Sequence, residues 1–61
     1  MKVQMKKEEA EKLASTLRKE GWTTLLFRSH IKGAVELQTT CYGELFEAAV
    51  KKSGAHMPSW A

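Results

Sequence analysis

Between Met5 and Glu20 the apolar residues fall at Ala10, Leu13, Ala14 and Leu17, and most of the residues around them are charged. That is the i, i+3, i+4, i+7 spacing of one helix face, so the pattern predicts an amphipathic helix across this stretch. Glu8 and Lys12 form an i, i+4 pair in the favourable order, and Arg18 and Lys19 lie in the last turn, where cations complement the helix dipole. Gly21 supplies the left-handed stop. In a Schellman ending Trp22 folds back on Leu17.

From Trp22 to Cys41 the helical period gives way to alternation in Thr, Leu, Phe, Ile and Val, which predicts two strands, over about 22–30 and 34–40. Leu25, Phe27 and Thr23 share one face of the first strand, and Val35 and Leu37 share one face of the second. A two-residue Lys32-Gly33 loop would oppose Phe27 to Gln38 and mix those faces. A three-residue loop, Ile31-Lys32-Gly33, keeps them together and places Gly33 at the left-handed position of a type I turn with a bulge. It pairs Phe27 with Leu37, Ser29 with Val35 and Arg28 with Glu36. The other face then shows Trp22, Thr24, Leu26, Arg28, His30, Glu36, Gln38 and Thr40.

Tyr42, Leu45, Phe46, Ala49 and Val50 restore the helical stripe, with Thr40 or Cys41 as the expected N-cap and Ser53-Gly54 as the end. The expected fold class is therefore α+β in the order α-β-β-α, two helices packed on one face of an antiparallel β-hairpin. Residues 1–54 form the expected single domain, and 55–61 a C-terminal tail. A hairpin alone leaves two open edges, and neither strand carries a proline to guard them. Dimerisation, edge to edge into a larger, four-stranded sheet or face to face through Trp22 and Leu26, is the expected remedy.

A chain of 61 residues supports one small core. Its lone cysteine, Cys41, excludes an internal disulfide and suits a reducing, cytoplasmic setting. No apolar run approaches the roughly 20 residues of a membrane span, so no membrane partner is expected. Ten Lys and Arg against seven Glu give a net charge of +3. That bias is mild for a dedicated nucleic-acid binder.

Candidate chemistry is sparse. Ser29 and His30 are neighbours on a strand and point to opposite faces, which excludes a direct Ser-His pair. Cys41, His30 and His56 lack metal-ligand spacing, and no glycine-rich phosphate loop is present, so neither metal nor cofactor is expected. The reading favoured by these features is a small non-enzymatic interaction protein, a regulator, adaptor or inhibitor of bacterial or phage type. It would bind a protein partner through Trp22, Leu26, Arg28, His30, Glu36 and Gln38, with Trp60 as a further anchor. The alternative is nucleic-acid binding through Arg28, Lys32, Lys51 and Lys52.

The run "LRKEGWTTLLFRSH", Leu17 to His30, resembles the small mRNA-cleaving toxins of the HicA type. That resemblance implies an α-β-β-β-α fold and His30 as catalytic base. In that family a glycine precedes the Ser-His pair, where Arg28 stands here, and membership is not inferred. RNA cleavage is the third reading.

Overall fold

The computed structural model describes residues 1–57; Pro58 and Trp60, the proposed tail anchor, lie outside them. Five elements follow one another: β1 (Lys2–Lys6), α1 (Lys7–Lys19), β2 (Thr24–Arg28), β3 (Ala34–Thr39) and α2 (Gly43–Ser53). The fold is α+β, but its order is β-α-β-β-α rather than α-β-β-α. The extra strand is "KVQMK", which runs directly into α1 at Lys6. Its alternation of polar and apolar residues has the period of a strand with one covered face. It pairs antiparallel with β3, Val3 opposite Leu37 and Met5 opposite Val35. The sheet order is β1-β3-β2, so β3 is enclosed on both sides by this chain's own strands.

The helix stripe lies where the spacing places it. Ala10, Leu13, Ala14 and Leu17 are buried in a core with Met5, Leu37, Cys41, Phe46 and Ala49. Each fully buried Leu or Met contributes about 1.5–3 kcal/mol. On α2 the buried stripe is narrower than expected: Phe46 and Ala49 face inward, whereas Tyr42 and Leu45 are exposed. Tyr42, not Thr40 or Cys41, is the N-cap, in extended conformation and without a side-chain cap. Ala55 continues the core beyond the helix, and the His56 N–H donates to Glu9 at 2.9 Å. That bond, followed by the charge of Lys12, holds the Glu9 carboxyl below the usual range.

The end of α1 sets the phase of β2. Gly21 has φ +90, Trp22 N–H donates to Leu17 C=O at 3.0 Å and Gly21 N–H to Arg18 C=O at 3.1 Å, which are the two bonds of a Schellman ending. Trp22 packs half-buried against the core. Two residues on, Thr24 is buried, its hydroxyl sharing a 3.1 Å hydrogen bond with that of Thr39. Leu26 follows inward.

The expected faces of β2 are therefore reversed. Trp22, Thr24 and Leu26 turn toward the core, and Leu25 and Phe27 turn outward. The ladder shows the same one-residue slip: Phe27 stands opposite Glu36, Leu26 opposite Leu37 and Arg28 opposite Val35. Because strand side chains alternate, a slip of one residue exchanges every position on the strand. The connection accommodates it by being longer than three residues. It spans 29–33 and closes with a β-turn in which Ala34 N–H donates to Ile31 C=O at 3.1 Å. Gly33, at φ +81, takes the third position, where a type II turn needs positive φ.

Two substitutions test this arrangement by urea denaturation. Leu26→Ala is expected to cost about 1–3 kcal/mol, and Leu25→Ala no more than about 0.5 kcal/mol, the reverse of a sheet with Leu25 inside. Gly21→Ala meets no steric neighbour but retains a positive φ, and is expected to cost about 1–2 kcal/mol.

Candidate interaction face

Direct pairing places residues on the same face, so the two registers define the uncovered side of the sheet as a grid. One row runs Lys2, Gln38, Leu25 and the next Gln4, Glu36, Phe27, from β1 across β3 to β2. Leu25 is 50% exposed and Phe27 46%, adjacent along the outer strand. Exposed single apolar residues are ordinary, but here two large ones stand together on the sheet face turned away from the helix-covered core.

The polar half of the grid is ordered. The Gln4 side-chain amide donates to one Glu36 oxygen at 2.9 Å, and that of Gln38 donates to the other. Ser29 donates its hydroxyl to the Gln4 carbonyl oxygen and accepts from Ile31 N–H at 3.0 Å, tying the β2–β3 connection to β1. The Gln38 and Gln4 hydrogen bonds hold the Glu36 carboxyl below the usual range, with Lys2 and His30 adding smaller favourable charge effects. The centre of the face is therefore an ionised carboxylate held by two amides beside an exposed phenyl ring.

The structure distributes the residues singled out from sequence as follows. Glu36 and Gln38 lie on this face, half-buried. Trp22 and Leu26 pack half-buried against the core. Arg28 belongs by register to the inner side and ends β2 with an exposed side chain. His30 is exposed in the connection after β2, not in a strand, and the Ser29 hydroxyl is bonded to Gln4 and Ile31.

The basic set does not gather on one surface. Lys32 lies with Lys6 and Lys7 at the end of β1, whereas Lys51 lies with Met1 and Val3 at its beginning. Lys52 pairs with Glu20 at 2.7 Å. Among the described residues no three His, Cys, Asp or Glu side chains come together as a metal site, and no helix is long and apolar enough to cross a membrane.

Sequence reasoning missed Lys2, Gln4, Leu25 and Phe27. The alternation of "KVQMK" was one available signal. The other was the Schellman ending itself, because a Trp22 folded onto Leu17 already fixes Leu25 and Phe27 as outward.

A carboxyl group whose folded pKa is depressed adds stability that is present above its unfolded pKa and lost as pH falls through the folded value. The advantage of wild type over Glu36→Gln in urea denaturation is thus expected at neutral pH and to fade on acidification below the ordinary glutamate range. A gap that stays constant from neutral to strongly acidic pH counts against the amide-held carboxylate. No family model matches the chain, and no curated protein or solved structure matches it either.

Proposed function

We propose that the protein is a small non-enzymatic interaction module, a regulator, adaptor or inhibitor, that binds a partner protein through its open sheet face and edges. The supporting observation is the pair Leu25 and Phe27, half exposed on the outer strand of a face whose Gln4, Glu36 and Gln38 side chains are already hydrogen-bonded to one another. A large aromatic anchor beside ordered polar groups suits a contact that excludes water from its centre. The sheet needs no further ordering of Gln4, Glu36 and Gln38 on binding, which lowers the entropic cost of association.

Charge favours protein over nucleic acid at this face. Aromatic residues on a sheet do stack on bases, but here Phe27 stands opposite Glu36, whose ionised carboxylate repels phosphates. The basic corner of Lys6, Lys7 and Lys32 is the feature that supports the nucleic-acid reading, and it lies at the hairpin end of the sheet with Glu8 among it.

Capture from a nuclease-treated lysate tests the proposal. The double variant Leu25→Lys, Phe27→Lys is expected to fold with little change in stability and to lose the captured protein, and wild-type capture is expected to survive a rise in salt. Capture that disappears on nuclease treatment or falls steeply with salt supports the nucleic-acid reading instead.

A further inference from the structure

The ladder between β2 and β3 determines which backbone groups of β2 face outward. Thr40 N–H donates to Thr23 C=O at 3.1 Å, so in the alternation of an antiparallel pair Leu25 and Phe27 also bond inward, to β3. Thr24, Leu26 and Arg28 then point their N–H and C=O groups to the open edge. The Arg18 guanidinium confirms this polarity at one end. Its Nε and Nη2 donate to Thr24 C=O at 3.2 and 3.0 Å, capping the edge there.

Among the described residues nothing pairs with the outer side of β2. The edge left open consists of Leu26 and Arg28. The opposite edge of the sheet, β1, carries Lys2 and Lys6, a familiar protection against strand addition. The edge of β2 has no proline, lysine or bulge.

We infer that the outer edge of β2 is a self-pairing site, at which a second copy of this chain adds its own β2 antiparallel about a two-fold axis through Phe27. The register of β2 selects this axis. Matching faces puts the two-fold axis on a residue of β2. An axis at Thr24 meets the carbonyl taken by Arg18, and one at Arg28 sets two like charges opposite each other and carries the pairing past the strand to His30. Leu25, Leu26 and Phe27 are left. A centre at Leu25 or Leu26 directs pairing onto Thr24 C=O, already taken by Arg18, and a centre at Leu26 also brings Arg28 beside that guanidinium. A centre at Phe27 sets Leu26 opposite Arg28 of the second copy and Arg28 opposite its Leu26. All the open N–H and C=O groups of the two residues are then exchanged, and the Arg18 cap is untouched. The two Phe27 rings meet at the axis in a non-hydrogen-bonded pair, the closer of the two pair types.

The sheet becomes six-stranded, and the apolar pairs of the two copies join into one staggered patch on its open face, with the two Phe27 at its middle. This deepens the interaction-module reading without requiring it. The contact is smaller than a standard stable interface, so the dimer is expected to dissociate on dilution.

Sedimentation of the synthetic full chain across a dilution series tests the inference. Wild type is expected to pass from dimer mass at millimolar to monomer mass at low micromolar concentration. The chain with an N-methyl group on Leu26, which removes an edge donor and keeps every side chain, is expected to remain monomeric throughout. A wild type that is monomeric at every concentration, or an N-methylated chain that associates equally well, overturns the proposal.

Cysteine substitution reads the register separately. Phe27→Cys is expected to form a disulfide-linked dimer on oxidation and Leu25→Cys is not; the opposite result overturns the Phe27 axis. Because N-methylation leaves Leu25 and Phe27 in place, capture of a protein by the monomeric variant distinguishes failure of self-pairing from failure of the interaction face.

Discussion

The turn at Gly21 is the constraint on which the sheet's two faces depend. With that residue at φ +90, the chain leaving α1 reverses so that Trp22 N–H reaches Leu17 C=O and its ring lies against the core. Alternation carries the consequence along β2, with Thr24 and Leu26 inward and Leu25 and Phe27 outward. The Arg18 bonds to Thr24 C=O arise from the same geometry, because the last turn of the helix passes over the edge that the strand presents. A local backbone device thus decides which side chains are available to a partner.

The inner face is paid for by packing and the outer by polar order. Val3, Met5, Val35, Leu37 and Leu26 meet the helix stripe in one core, and the two buried threonine hydroxyls of that face bond each other. No buried side-chain polar atom of the described residues lacks a partner. Outside, Gln4 and Gln38 hold Glu36 charged, while Leu25 and Phe27 receive no cover. An apolar pair beside a fixed carboxylate differs from the helix surface, where Glu9, largely covered and held by the His56 N–H, lies 3.5 Å from an exposed Lys12.

The three-stranded sheet also changes the argument for association. A bare hairpin would need a partner merely to complete its sheet, but β1 supplies a third strand and encloses β3. The proposed self-pairing therefore concerns one particular edge, not the completion of the sheet. The lysines of β1 and the apolar run of β2 make the two edges chemically unequal.

Periodicity and turn chemistry in the sequence alone determined the two helices, the buried stripe Ala10, Leu13, Ala14 and Leu17, the stop at Gly21 and the existence of a hairpin between Trp22 and Cys41. These are local: the chain's own hydrogen bonds and the spacing of its apolar residues contain the information. Tertiary structure decided that "KVQMK", whose alternation permits a strand, pairs with a strand some thirty residues away, a choice that depends on the free edge of β3. It also secured the register of β2, for which the Gly21 turn is the local signal and the Thr24–Thr39 bond the tertiary one. Two large apolar residues, Leu25 and Phe27, outweigh Thr24 and Leu26 in any count by hydrophobicity, yet a buried hydroxyl pair and a folded-back tryptophan hold the strand the other way. A side-chain count cannot weigh a hydrogen bond whose partner, Thr39, lies on another strand. That one-residue difference turned Leu25 and Phe27 from expected core into the exposed apolar margin of the open face.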